Sequence, residues 1–484
     1  MTFREIVRMS FQSPVLMTWL SQVSRMLSVF LVLPLVVTRL DQAEIAVWYL
    51  FASASMLATL LDTGIVGTFQ RFIAYGMGGA ESIAECTSNS GVKEIVRSDR
   101  EPNWRLIERT YSTIRVLNGW MIWIVLFLLV TVGSWALFRP ISSTSNPLQS
   151  WVAWGLFIIS QGFIFTTRPH MAVLNGINEV ALNARCSSLF NLTNIGLSCV
   201  VLLLGGGLSG LSAASLVIAI GMVSFYRRLL KSVAKGRFAQ VPPDFDPEIV
   251  RTAWSPCWKS AVVVLSSSGM MQLSGFVYAQ IGDVASLASY LFGIKLFNIL
   301  QAFTSAPFYA RVPEFVRLYA SHDIKLLRER CGQAMALSLW LFAAGVLTIG
   351  LIGPFGLHLI GAKVELLPRH LLMLLGFAWI YDRANSLHGQ IIMWTNEVYG
   401  YWVVPIFGAC FLSLQFLFGS RFGVEGMVWA YVSSYVLIYF GWIHVKAASV
   451  LKTGLAAFTF RHAALPVLIL FIASVVTNLR FCDL

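Results

Sequence analysis

The chain is predicted to be an all-α integral membrane protein of 12–14 transmembrane helices, in two six-helix lobes related by a parallel internal repeat. Three observations predict this. Of 484 residues, 57% are hydrophobic and 12% charged, about half the charged share of roughly 25% found in soluble domains. Apolar runs of about 20 residues, enough to cross a hydrocarbon core about 30 Å thick, recur from one end to the other. Short motifs also recur in the same order in the two halves. Lipid offers the backbone no hydrogen bonds, so spanning segments are helices or strands of closed barrels. The short alternating segments of a barrel are missing from the sequence.

The elements follow in order. The first apolar run extends from near Pro14 to Thr38, far longer than the apolar core of a cleavable signal. Spans are predicted near 13–38, 45–75, 114–138, 151–175, 181–205 and 208–230, and then near 253–280, 285–310, 332–354, 367–393, 399–419 and 424–445. A thirteenth, near 463–478, is short. Pro34, Pro169, Pro307 and Pro405 fall inside spans and predict local kinks. In segment 311–331, Val312, Phe315, Val316 and Tyr319 recur at helical spacing among charges, the pattern of an amphipathic helix lying in the membrane interface. The chain is thereby divided into an N-terminal six-helix lobe (1–230), a basic cytoplasmic linker (231–252), a C-terminal six-helix lobe (253–446) and a C-terminal extension (447–484).

Loop charges set the orientation, because lysine and arginine collect on the cytoplasmic side. Arg4, Arg8, Lys93, Arg97, Arg105, Arg109, Arg227, Arg228, Lys231, Arg237, Arg251, Arg311, Lys325 and Arg330 fall on one side, with few on the other. The N-terminus is therefore predicted to be cytoplasmic. These loops also account for most of the net charge of +12, so the basic balance needs no nucleic-acid partner. The seven cysteines are scattered, with no CxxC pair, and indicate neither a disulfide framework nor a zinc site.

The internal repeat rests on three matches. Tyr49-Leu50-Phe51 recurs as Tyr290-Leu291-Phe292, just inside the second helix of each half. Asn178-Glu179-Val180 recurs as Asn396-Glu397-Val398 before the fifth, and Gly210 matches Gly426 before the sixth. Six helices per half return the chain to its starting side, so the halves are related by an axis along the membrane normal, as in transporters built from parallel repeats.

Ionisable residues inside the apolar spans carry the functional signal. Arg25 lies in the first span, Asp62 in the second, Arg168 in the fourth, Lys295 in the eighth, and Asp382 with Arg383 in the tenth. Each costs about 2.5–3.5 kcal/mol at a helix centre on insertion scales, so such groups face a cavity, a partner or both. The repeat aligns Arg25 with Ser266, Asp62 with Phe303, Arg168 with Ser386 and Lys295 with Ala54. The scaffold thus tolerates neutral residues there, which points to a ligand. Four cations against two anions leave positive charge over, and arginine forks with a lysine suit phosphate or pyrophosphate. Arg168 and Arg383 serve either that anion or the aspartates. Asp62 and Asp382 are counter-ions to the arginines or else proton or cation sites. Arg71, Arg115, Arg185 and Lys259 lie near cytoplasmic helix ends and read as snorkelling side chains. His170 sits beside Arg168, whereas His358, His370, His388 and His444 form no ligand spacing. Neither a Walker A sequence, a nucleophile elbow nor an HExxH motif occurs, so no enzyme, cofactor or metal is predicted.

The stretches Pro34-Leu-Val-Val-Thr-Arg39, Trp48-Tyr-Leu-Phe51, Leu61-Asp-Thr-Gly-Ile65 and Arg71-Phe-Ile-Ala74 resemble the opening of the polysaccharide flippases of the multidrug/oligosaccharidyl-lipid/polysaccharide exporter superfamily. The resemblance implies a bacterial inner-membrane protein that moves undecaprenyl-diphosphate-linked oligosaccharide to the periplasmic leaflet by alternating access, for surface polysaccharide biosynthesis. It implies cavity cations on the first and eighth helices, the places of Arg25 and Lys295. A polysaccharide polymerase or other biosynthesis proteins are implied as partners. The drug-exporting branch relies on acidic cavity residues, so Asp62 and Asp382 keep a cation-coupled antiporter open as the alternative. A membrane enzyme acting on lipid-linked sugars fits less well, because such enzymes expose a large outer loop and the outer loops here are short. An odd thirteenth span departs from the even number the resemblance implies.

Overall fold

The computed structural model describes residues 14–82, 101–239, 241–320, 323–393, 402–438, 440–454, 458 and 461–482. Among these no strand occurs, and ten helices are long and apolar enough to cross a membrane. The chain is a multi-pass membrane protein. It forms two compact units, Met1–Gly269 and Met270–Leu484, dividing inside the stretch expected as the seventh span.

The first unit holds α1 (Pro14–Arg39), α2 (Gln42–Met77), α3 (Trp104–Ser142), α4 (Pro147–Gly176), α5 (Val180–Leu203), α6 (Gly207–Ser232) and α7 (Pro247–Val264). Helix starts carry their caps: Asp41 and Glu44 form a capping box on α2, while Asn103 and Asn146 accept the Leu106 and Gln149 amides at α3 and α4. Such caps satisfy amides that no helix can pair internally. α1 packs along α5, and α4 along α6. α2 lies between α3, the end of α4 and α7. Its close approach to α7 depends on Gly64, where a Cβ would stand 2.6 Å from the Cys257 carbonyl oxygen. Small residues let membrane helices approach in this way, since van der Waals contact rather than water exclusion holds them together.

The linker is tied to α3 by charge and hydrogen bonds. Arg109 pairs with Asp246 at 2.5 Å and with Glu248 at 3.3 Å. Ser112 Oγ donates to the Pro242 carbonyl and accepts from the Asp244 amide, and Arg115 donates to the Val241 carbonyl. Arg115 is thus held by a backbone carbonyl of the linker, a partner that its place near a helix end does not reveal.

The second unit holds α8 (Met270–Ile281), α9 (Val284–Tyr309), α10 (Val312–Ala320), α11 (Ile324–Leu359), α12 (Arg369–Met393), α13 (Val403–Val432), α14 (Phe440–Val450) and α15 (Arg461–Cys482). α12 is its hub, touching α9, α11, α13, α14 and α15. It is absent from the ten most apolar spans because it carries Asp382 and Arg383. Neighbours on several sides replace lipid around it, and that shielding makes two adjacent charges tolerable. The segment expected to lie in the interface forms a separate helix only over α10, where Phe315 is buried against the Phe308 ring. Residues 324–331, expected to belong to it, form the first turns of α11, capped by Asp323. The last helix is longer than expected, 22 residues, and packs on α11 and α12.

Several paired features mark the repeat. Asp41 and Asp283 stand at the starts of α2 and α9, and Tyr49 and Tyr290 are both buried two turns further on. The match of Gly210 with Gly426 extends three residues back, giving Gly207-x-x-Gly210 and Gly423-x-x-Gly426. Gly207 and Gly423 both adopt left-handed φ, 59° and 61°. Only glycine takes this turn without strain. In both places it reverses the chain between consecutive helices, splitting α13 into the two spans expected near 399–419 and 424–445. Asn396, Glu397 and Val398 lie outside the described residues, as do Arg4, Arg8, Lys93 and Arg97.

Candidate functional site

In the first unit the buried charges form a ladder between α2 and α4. Pro169 has no N–H for the Phe165 carbonyl one turn earlier, so α4 breaks at Thr167. The Phe165 carbonyl accepts a backbone N–H at the cap and, in addition, Asn118 Nδ2 of α3 at 3.0 Å. The break presents Arg168 to α2, where its Nε stands 3.8 Å from Asp62 Oδ2 and its Nη2 donates to Thr59 Oγ1 at 3.1 Å. The guanidinium also lies over the Phe165 ring, 5.6 Å from its centre. One turn away, Ser55 Oγ donates to Gln161 at 3.3 Å. Asp62 is 2% exposed, and its Oδ1 has no hydrogen-bond partner among the described residues. Asp62 Oδ2 thus forms an ion pair with Arg168, and Oδ1 is left over.

In the second unit Asp382 and Arg383, adjacent on α12, point to different partners. Asp382 Oδ2 accepts from Gln301 Nε2 of α9 at 3.2 Å, and the Tyr435 hydroxyl bonds the same carboxylate. Arg383, 1% exposed, donates to Ser338 Oγ of α11 at 3.2 Å and lies over the Tyr309 ring. Nearby, Tyr290 donates to Ser274, which also meets Tyr431. Arg383 is therefore held by neutral groups, and its charge is partly balanced by its covalent neighbour.

Lys295 differs from these. It sits mid-way along α9, half-buried, and makes no hydrogen bond or ion pair among the described residues. Within the first unit the structure brings Arg168 to Asp62, and within the second it does not bring Asp382 to Lys295. Arg25 lies within α1, and its side chain is outside the described residues. Among the described residues no group of three or more metal-ligating side chains comes together.

Sequence reasoning missed a histidine pair. His388 of α12 and His444 of α14 stack with ring centres 4.0 Å apart, fully buried. His388 Nδ1 donates to the Ala384 carbonyl at 2.7 Å, and His444 Nε2 meets Asn385 Oδ1 at 2.6 Å. The two lie far apart in sequence on different helices, so no spacing rule could have paired them. Asn118 was likewise overlooked, because its bond to the Phe165 carbonyl crosses from one helix to another.

No family model matches the chain, and no curated protein matches it by sequence. Solved structures do match. A structure of the lipid II flippase MurJ in an inward closed conformation superposes with a TM-score of 0.63 over 97% of this chain and 98% of that one, at 12% identity. An inward-facing multidrug resistance MATE family transporter of the MOP superfamily gives 0.58 over 89% and 99%, at 15% identity. A MOP superfamily transporter from Pyrococcus furiosus, described by a reverse polarity of its binding pocket, gives 0.52 over 92% and 98%, at 13% identity. The fold is that of the MOP transporters.

Proposed function

We propose that this protein is a flippase that moves an isoprenoid-diphosphate-linked oligosaccharide between membrane leaflets by alternating access, with the basic loops on the cytoplasmic side. The observation that carries the reading is Lys295, a cation inside a membrane helix with no protein partner among the described residues. A charge of that kind costs about 2.5–3.5 kcal/mol to insert, and a ligand anion would offset the cost. Arg168 and Arg383 have protein partners already, which supports a positioning rather than a direct role for them. Arg25, for which the sequence makes the same case in the first unit, is proposed to act on the anion too. Likeness to a lipid II flippase supports a lipid-linked substrate. It leaves the sugar and any polymerase partner as parts of the proposal.

A second reading, a cation-coupled drug or metabolite antiporter, draws on Asp382 with Gln301 and Tyr435, and on the free oxygen of Asp62. Both readings can be tested on proteoliposomes holding a fluorescent isoprenoid-diphosphate saccharide, with the outer leaflet quenched. Lys295→Met is expected to slow flipping ten- to a hundredfold, since a charge-assisted contact is worth about 1.5–3 kcal/mol. Lys295→Arg is expected to keep most of it. Normal flipping by Lys295→Met at equal protein content would refute the anion site. Proton-driven efflux of an organic cation without flipping would favour the second reading.

A further inference from the structure

We propose that a second site, in the first unit, holds the phosphate headgroup of a membrane lipid. It is a cavity of about 370 Å³ enclosed by α3, α4, α6 and the turn 233–239. Arg115 lines it from α3, and Arg227 with Lys231 from the last turns of α6. No carboxylate lines it, and among the described residues none of these three cations makes an ion pair. Arg115 is held in place by the Val241 carbonyl and lies over the Tyr111 ring at 5.6 Å, so its fork is oriented before any ligand arrives. Asn118 and His170 add polar atoms to the wall.

The contrast with a neighbouring cavity of about 510 Å³ shows what is unusual. There Arg105, Arg109 and Arg237 face Glu108, Asp244 and Asp246, so the wall neutralises itself. The smaller cavity has no such balance. Two guanidinium forks and an ammonium converging on one space suit a phosphoryl group, whose oxygens accept paired N–H donors.

The rest of the wall argues for a lipid. Ile122, Leu230 and Phe238 give it an apolar side, and Gly119 leaves an opening, with nothing within 4 Å of where its Cβ would be. Beside this opening, α3 exposes Trp120, Trp123 and Phe127, 55%, 74% and 66% accessible. Tryptophan gathers at headgroup depth, and an acyl or prenyl chain leaving the cavity would run along this face. The lysine and arginine bias assigns this end of the unit to the cytoplasmic leaflet, where basic pockets between helices take anionic headgroups. The site stands independently of the flippase reading and lies on different residues.

Native mass spectrometry of the full chain, loaded separately with phosphatidylglycerol, phosphatidylcholine, an isoprenoid diphosphate or inorganic phosphate, tests this. The wild type is expected to retain one phosphatidylglycerol or isoprenoid diphosphate in preference to phosphatidylcholine, and the tighter of the two names the source. Combined Arg115→Gln, Arg227→Gln and Lys231→Gln should lower retention at least tenfold, whereas Arg228→Gln, next to the cavity but outside its lining, should not. Gly119→Leu fills the opening without changing charge and should also lower it, even where the triple variant fails to fold. Unchanged retention in Gly119→Leu, no preference over phosphatidylcholine, or retention of inorganic phosphate alone would overturn the proposal.

Discussion

Asp62 and Arg168 allow a direct measurement of what a membrane-buried charge does. At 3.8 Å, the pair attracts with about 4 kcal/mol at an effective dielectric of about 20. Desolvation removes much of this, and the Arg168 side chain is 24% exposed, so a coupling of about 1–3 kcal/mol is expected. Asp62→Asn leaves Arg168 its Thr59 bond and the Phe165 ring, and should be the milder change. Arg168→Gln strands a carboxylate that is 2% exposed, and should be the harsher, at about 2–4 kcal/mol. The double variant, Asp62→Asn with Arg168→Gln, removes both charges and should cost less than the sum. The assay is a double-mutant cycle on unfolding of the full chain in mixed micelles, followed by tryptophan fluorescence. Flipping is read in parallel. If both residues exist for each other, the double variant recovers stability and most transport. Additive losses in stability would refute the pairing, and a stable double variant without transport would assign one of the two a direct role.

Two further outcomes test the backbone. Asn118→Leu removes the side-chain donor that ties α3 to the Phe165 carbonyl, which keeps its backbone N–H at the cap, and should cost about 0.5–1.5 kcal/mol in the same assay. Adding Pro169→Ala offers that carbonyl a regular helical N–H, so the pair of changes should recover part of the loss, and no recovery would show that the proline does not govern the break. Gly423→Ala forces a side chain into φ 61°, ψ −138° and should cost about 1–3 kcal/mol, read as a lower unfolding midpoint. An unchanged midpoint would mean that the reversal inside α13 does not depend on glycine.

The helices were legible because apolar runs are local, and so were their order and their repeat. Among the described residues the expected spans fall on helices, although the seventh covers both α7 and α8, the eleventh and twelfth share α13, and α11 begins some eight residues early, taking in what read as interfacial helix. Charge inside an apolar run is equally local, which is why Lys295, Asp382 and Arg383 could be singled out. Their partners could not. Asp62 meets Arg168 only because α4 breaks at Pro169 and turns that side chain toward α2. His388 meets His444 only because α14 folds onto α12. Arg115 read as a snorkelling residue because its neighbour, the Val241 carbonyl, belongs to a linker that sequence does not bring to α3. Pairings across helices depend on packing, and packing is not written in any one segment.

The arrangement of charges bears on the sign of the ligand more than the fold does. The same fold serves a lipid II flippase, a multidrug transporter and a transporter described by a pocket of reverse polarity, so likeness alone leaves the sign open. Pairing narrows it. Asp62 and Arg168 cancel within the first unit, and Asp382 and Arg383 are neighbours on one helix of the second. Polar side chains take the hydrogen bonds these four need, from Thr59, Gln301 and Ser338. Once they are set aside, the described charges inside spans that still lack a partner include Lys295 and Arg185, both positive. A lone ammonium inside a membrane helix is stable only beside an anion or water. Under the proposed function, an acidic ligand group that arrives with the substrate and leaves with it would meet that need only while transport is under way, and Lys295 would recognise cargo rather than support the fold.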